Sequence, residues 1–240
     1  MFNTTEAVVL QLYPYKDNNA VVKLYSRKMG IVSCWAASIH KKTSKTKASL
    51  LQPLSLINAE LSSKGNESLI QLKEIETSVQ TPGIAMHIEK STIAMFLAEL
   101  LLKSLKEESS HDESLYEFIR DAILLLDKTT ERCTNFHVLF IVRLSDYLGL
   151  LPKGNYSAGT SYFNLQDGIY QPSPPLHPHF LAPAESEWLS KLSSKSLDNF
   201  NEWTIPSSSR RLLLRGLLEY FELHLSMSPL KSHLVLEEVF

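Results

Sequence analysis

The chain has 240 residues, enough for one large domain or two modest ones around a real core. Its 44% hydrophobic and 21% charged residues exclude a disordered or membrane composition, and no apolar run approaches the ~20 residues that a span needs. The net charge of −2 conceals an asymmetry: residues 1–59 carry eight Lys and Arg against Glu6 and Asp17, or +6, and the remainder sixteen against twenty-four, or −8. A basic N-terminal part joined to an acidic remainder suggests one region for nucleic acid and another for protein partners.

The opening MFNTTEAVVLQLYPY has no basic stretch ahead of its apolar residues, so a secretory leader is not expected and the cytoplasm is the default compartment. Glu6–Tyr13 and Ala20–Ser26 have the Val, Leu and Tyr content of strands, with the polar turn Pro14–Asn19 between them. Arg27–Gly30 is a second turn, where Gly30 is free to take a positive φ, and Ile31–Ala37 is a third strand. Pro53–Ser62 reads as a fourth strand, and Lys64-Gly65-Asn66 closes a hairpin into a fifth, Ser68–Thr77. Neither alternating set of that fifth strand is purely apolar. Five strands within about 80 residues, with a long connection in the middle, predict a small antiparallel barrel, of which the OB-fold is the best-known example.

The long connection sits in Gly30–Pro53 (GIVSCWAASIHKKTSKTKASLLQP). No Asp or Glu occurs between Asp17 and Glu60, while Lys23, Arg27, Lys28, Lys41, Lys42, Lys45 and Lys47 all fall there. Such a window attracts a polyanion, and a phosphate backbone is the candidate. The competing reading is a solvated Lys/Ser/Thr loop. Tyr13, Tyr15, Tyr25 and Trp35 read first as core or rim packing, and of these Trp35 is retained as a candidate for base stacking.

Thr81-Pro82-Gly83 breaks the strand pattern, and a helical period follows. Ala85–Leu105 carries Ile93, Phe96, Leu97, Leu100, Leu101 and Leu105 on one stripe. After the polar break Ser109–Asp112, helices are predicted over Leu115–Leu126 and over Asn135–Leu148, the latter ending at Gly149 with Pro152 beyond. Residues 153–184 lose the helical period and read as an inserted, loop-rich module with short strands near Tyr162–Leu165 and Gly168–Tyr170. Helices resume at Glu185–Ser193 and Ser207–Leu225, where Ser207 or Ser208 is placed to cap. Arg210, Arg211 and Arg215 cluster in the first half of that last helix, against its dipole. They form a second candidate anion- or partner-binding group, which salt bridges to the acidic body explain equally well.

Little in the chain suggests covalent chemistry. GxSxG, P-loop, GxGxxG and HExxH motifs are all missing, and no catalytic residue is assigned. Cys34 and Cys133 lie apart inside apolar patterns, as buried thiols do, and two cysteines are too few for a multi-thiolate zinc site. His177-Pro178-His179 alone is too little for a metal. No cofactor and no enzymatic activity are expected.

Taken in order, the anchors AVVL (Ala7–Leu10), VVKLYSRKMG (Val21–Gly30), LLQPL (Leu50–Leu54), LIQLKEIE (Leu69–Glu76), FLAELL (Phe96–Leu101), LYEFI (Leu115–Ile119), LLLD (Leu124–Asp127) and FHVLFIVRLSDYLGLLP (Phe136–Pro152) run through almost the whole chain. YFNLQDGIY (Tyr162–Tyr170) and the closing LLEYFELHL and LKSHLVLEEVF complete the series. Their order and spacing resemble the bacterial recombination mediator family RecO. The resemblance implies an α+β architecture: an N-terminal OB-fold β-barrel over 1–80, then a helical domain over 81–152 and 185–240. Between its halves, 153–184 would be a small inserted module. Some family members hold zinc there with four cysteines; this chain has none between Gly154 and Pro183, so a zinc-free module held by packing is expected.

The resemblance further implies a non-enzymatic role in the RecFOR pathway of DNA repair. That role comprises binding single- and double-stranded DNA, annealing complementary strands and, with RecR, helping to load recombinase on DNA coated by single-strand-binding protein. Family members also hold the acidic, hydrophobic C-terminal tail of single-strand-binding protein on the helical domain. A cytoplasmic, nucleoid-associated protein without membrane contact follows. The alternative is a protein-interaction scaffold whose barrel grips a protein partner and whose lysines are merely solvated.

Overall fold

The computed structural model describes residues 2–41, 43–62, 70–105 and 112–240. Lys42, the expected hairpin turn Lys64-Gly65-Asn66, the start of the fifth strand at Ser68 and most of the break from Ser109 lie outside the described residues. Two compact units are formed, Met1–Lys128 and Thr129–Phe240.

The first unit opens with five strands: β1 (Phe2–Tyr15), β2 (Asn19–Ser26), β3 (Gly30–Ala36), β4 (Leu56–Ser62) and β5 (Ile70–Val79). They close into a barrel of order β1-β2-β3-β5-β4, with β4 pairing back onto β1. This is an OB-type barrel followed by helices, as expected from the sequence. One seam departs from the expected antiparallel arrangement: β3 and β5 run parallel from Cys34↔Ile70 to Ala36↔Leu72. The β4–β5 hairpin enters the sheet as a unit, and β5 closes it on the strand that precedes the long connection.

Alternation builds the barrel interior. Ala20, Val22 and Leu24 of β2, Val32, Cys34 and Ala36 of β3, and Ile57, Ala59 and Leu61 of β4 all point inward. Of the three register shifts in these pairings, two adjust the phase of core residues. In β1 the register shifts between Val9 and Gln11, so Ala7 and Val9 are followed inward by Leu12. Val8 and Leu10, on the outer face, are also buried. In β5 the register shifts between Glu60 and Leu61 of its partner, so Leu72 and Ile75 both reach the core although three residues apart. This explains why strict alternation found no apolar face in that strand.

The expected single helix Ala85–Leu105 is divided into α1 (Pro82–Met86) and α2 (Ile88–Ser104), with His87 extended between them at φ −119°, ψ 121°. The cause lies in α3 (Glu113–Lys128). Gly83 approaches its C-terminal end so closely that a Cβ there would stand 2.2 Å from the Asp127 carbonyl oxygen. The Ile84 N–H donates to Asp127 Oδ1 at 3.0 Å. One turn of helix is thus pinned to Asp127, and the chain redirects before α2 lies along β1.

The second unit contains α4 (Phe136–Tyr147), closed by Gly149 at φ +70°, as its glycine signalled. Strands β6 (Tyr162–Asn164), β7 (Ile169–Gln171) and β8 (Phe180–Leu181) form a small sheet of order β7-β6-β8. Packing centres on the fully buried Phe163, whose ring lies 5.0 Å from Tyr170 and 5.6 Å from Tyr220. Helices α5 (Pro183–Ser193), α6 (Ser207–Leu225) and α7 (Ser232–Val239) complete the unit. The expected serine cap of α6 is not made: Pro206 occupies the cap position, without a side-chain bond. Gly216 of α6 lets Leu181 pack directly on the helix, since a Cβ would meet Leu181 Cδ2 at 2.2 Å.

Candidate nucleic-acid interface

The β3–β4 connection carries the lysine run and is fastened to the barrel. Ile39 and Leu51 are buried in the barrel core on either side of it. The Ile39 N–H donates to the Asn18 carbonyl at 2.8 Å, and the Ala48 N–H to the Ile39 carbonyl at 3.0 Å. Between these anchors Thr46 is buried, its hydroxyl donating to the Ala37 carbonyl at 3.2 Å. The Ile75 N–H of β5 donates to the Lys45 carbonyl at 3.0 Å. A Lys/Ser/Thr loop that merely floats in solvent has no such set of attachments. Lys41, Lys45 and Lys47 project from it and are exposed.

Trp35 stands on the outer face of β3 beside this connection. A cleft of about 360 Å³ opens there, lined by Trp35, Lys41, Thr43–Thr46, Gln71 and Lys73 among others. Lys73 is bonded to Gln71 and exposed. Among the described residues no carboxylate lies within ion-pair distance of Lys41, Lys47 or Lys73. Lys45 differs: its ammonium contacts Glu74 at 2.6 Å, a bond that holds its pKa above the usual lysine value, with Glu60 adding to the effect.

The remaining candidates lie elsewhere. Lys23 is on β2, midway along the hairpin, donating to Ser33 Oγ. Arg27 and Lys28 occupy the β2–β3 turn, at the end of the hairpin away from Trp35. Arg27 meets three carboxylates, Glu6, Glu113 and Glu117, at 2.5–2.8 Å, and their bonds raise its pKa. Its guanidinium also lies 5.7 Å from the Tyr116 ring, joining barrel to α3. Lys28 donates to the Thr4 carbonyl at 2.8 Å. The structure therefore gathers Trp35, Lys41 and Lys45, leaves Lys47 nearby on the same connection, and sets Arg27 and Lys28 apart.

The arginines of α6 are tied within the second unit. Arg210 is buried and donates to the carbonyls of Ile205 and Phe240, and desolvation lowers its pKa. Arg211 donates to the Glu237 carbonyl, and Arg215 grips the Glu237 carboxylate at 2.6 and 2.8 Å, holding its pKa below the usual value. Together they fasten α6 to α7. His179 Nδ1 pairs with the Glu219 carboxylate, and His177 Nδ1 accepts from the His179 N–H. Among the described residues no group of three or more His, Cys, Asp or Glu is gathered as metal ligands, and no helix is long and apolar enough to cross a membrane.

Sequence reasoning read Tyr13 and Tyr15 first as core or rim packing and gave Gln71 and Lys73 no role. The expected strand ended at Tyr13, with Tyr15 in the turn Pro14–Asn19, whereas β1 runs on through Tyr15 and so sets both tyrosines on one face. The parallel β3–β5 seam that brings Gln71 and Lys73 to Trp35 had no signal in the sequence.

The barrel order, with a basic connection anchored in the barrel core and helices after it, defines an OB-barrel protein with a helical remainder. Residues 1–80 match the family described as Recombination protein O N terminal, and residues 86–234 match Recombination protein O C terminal. The DNA repair protein RecO of Azobacteroides pseudotrichonymphae is 33% identical over 242 residues, covering all of both chains. The proteins of that name from Bacteroides fragilis and Phocaeicola vulgatus are 32% and 31% identical, again over the full length of each. The chain belongs to the recombination protein O family.

Proposed function

We propose that this chain is a recombination mediator in DNA repair. It binds single- and double-stranded DNA without sequence preference and anneals complementary strands. With RecR it helps load recombinase on DNA coated by single-strand-binding protein. The observation that carries this reading is the lysine connection: cations presented by a segment anchored at Ile39, Thr46 and Leu51, next to an outward-facing Trp35. Family membership and the names of the curated relatives support the repair role.

In this reading Lys23, Lys28, Lys41, Lys42, Lys45 and Lys47 neutralise phosphates and read no bases. Arg27, already held by three carboxylates, supports the barrel more than the DNA. Two strands brought onto one basic surface repel each other less, so annealing needs no covalent step and no enzymatic activity. Residues 1–80 act as the DNA-binding barrel. The helical parts 81–152 and 185–240, with the module 153–184 between them, serve protein partners: RecR and the tail of single-strand-binding protein. The site of action is the cytoplasm, at the nucleoid.

The test is binding of a labelled single-stranded oligonucleotide across a salt series, wild type beside the Lys41/Lys42/Lys45/Lys47→Glu variant. About six neutralised phosphates give a slope of about −4 in log K against log salt, and the variant loses binding. Binding that is flat with salt and equal in both proteins returns the lysines to solvent and favours the scaffold reading.

A further inference from the structure

The outer face of the barrel carries an aromatic row that backbone neutralisation leaves without a role. Strand register sets Tyr13 opposite Val21, Val21 opposite Trp35, and Trp35 opposite Gln71. The neighbours Leu12, Cys34 and Ala36 point to the core, so Tyr13 and Trp35 point away from it. Tyr15, two residues beyond Tyr13, shares that face, and its ring meets Trp35 edge-on at 5.3 Å and 70°. Tyr13 is 45% and Tyr15 58% exposed. The contrast is Tyr25, on the intervening strand β2, which is 4% exposed and packed on Tyr116. A barrel that covers one tyrosine so fully leaves two others in water beside a half-buried tryptophan.

The charges around the row agree with this. Lys41 and Lys73 line the cleft at Trp35, and Lys23 lies two residues along β2 from Val21. Of the acidic residues of the sheet, Glu60, Glu74 and Glu76 are on β4 and β5, paired with one another and with Asn58, and Glu6, on β1, is engaged by Arg27 at the far end of the hairpin. An edge-on contact braces Tyr15 and Trp35 without stacking their faces together, so π-faces remain for a partner. Every nucleobase has a face to stack, but in a duplex those faces are covered by neighbouring pairs.

We infer that Tyr13, Tyr15 and Trp35 form a stacking platform for unpaired bases, which makes this face prefer single-stranded to duplex DNA. The inference rests on the DNA-binding reading above and adds a discriminating element to it. Lysines hold the backbone of either form; the aromatic row accepts only a strand whose bases are free.

Three ligands test it at one salt concentration: a thymidine strand of about 20 nucleotides, an abasic deoxyribose-phosphate strand of equal charge, and a duplex. Wild type should bind the thymidine strand about ten-fold or more tightly than the abasic one. The Tyr15→Leu/Trp35→Leu variant should bind the two alike and keep its duplex affinity. Equal wild-type affinity for the thymidine and abasic strands overturns the platform. If Lys41→Glu/Lys73→Glu abolishes binding in that same case, the DNA reading stands without it; if that variant binds every ligand as wild type does, the DNA reading itself falls. Should the leucine variant fail to fold, the wild-type comparison still decides.

Discussion

Replacing Glu74 by Gln should tighten DNA binding, although Glu74 is not itself a proposed contact with DNA. Glu74 occupies the Lys45 ammonium at 2.6 Å, so a phosphate must displace it to use that cation. Glu74 also sits directly opposite Glu60, and like charges facing across strands are unfavourable. The Gln variant relieves that repulsion and frees Lys45, while the connection stays anchored through Ile39, Thr46 and Leu51. Lys45 already stands among the six proposed phosphate contacts, so the variant adds only the part of that contact that Glu74 withholds, at most about 0.7 in salt slope for single strands, or about five-fold in affinity at about 0.1 M salt. The assay is fluorescence anisotropy of a labelled oligonucleotide across a salt series, with a melting curve to verify that the fold is kept. An unchanged slope with a kept fold, or weaker binding, would refute the idea that Lys45 is held in reserve by Glu74.

Two predictions concern stability in the second unit. His137 is fully buried, and burial, with Arg210 nearby, pushes its pKa down to about 3. The unfolded chain takes up that proton near pH 6.5 and the folded one does not, so stability is full above that pH and falls as pH drops toward 3, by about 2 kcal/mol at pH 5. Urea unfolding of wild type and His137→Phe at pH 7 and pH 5 checks it; an acid loss that the variant retains in full would assign the effect to other groups. Gly216→Ala should destabilise by about 1–3 kcal/mol through collision with Leu181, and Leu181→Ala in the same chain should recover part of that loss. Additive losses in denaturant titrations of the single and double variants would show that the close approach is not the cause.

Much of the architecture was readable because it rests on local pattern. Leu213, Leu214, Leu217, Leu218 and Phe221 announced α6, and Val22, Leu24, Val32 and Cys34 announced barrel strands, by spacing alone. The sequence also pointed to the lysine connection as the charged feature of the barrel. What it did not reveal is set by neighbours distant along the chain. Lys45 and Glu74 are twenty-nine residues apart, and Arg27 and Glu113 eighty-six. No periodicity says that one lysine of the run is held by an acid while Lys41 has none beside it among the described residues. The break at His87 depended on Asp127, and the inward turn of Ile75 depended on a bulge against β4. The arginines of α6 read equally as an anion site or as salt-bridge partners because α7, the helix whose Glu237 engages two of them, was not recognised.

The parallel seam between β3 and β5 has a consequence for how the protein is made. Hairpins β1–β2–β3 can zip as soon as residue 36 has left the ribosome, since each turn is short. Closure cannot follow until residues 70–72 arrive to pair with Cys34–Ala36. The same arriving strand brings the Ile75 N–H and the Glu74 carboxylate that secure Lys45. The lysine connection is therefore a late product of synthesis, taking its final form only when a non-local loop has closed. A nascent chain stopped before β5 would display the whole basic sequence without the geometry that places it beside Trp35, and it would meet nucleic acid as a flexible polycation.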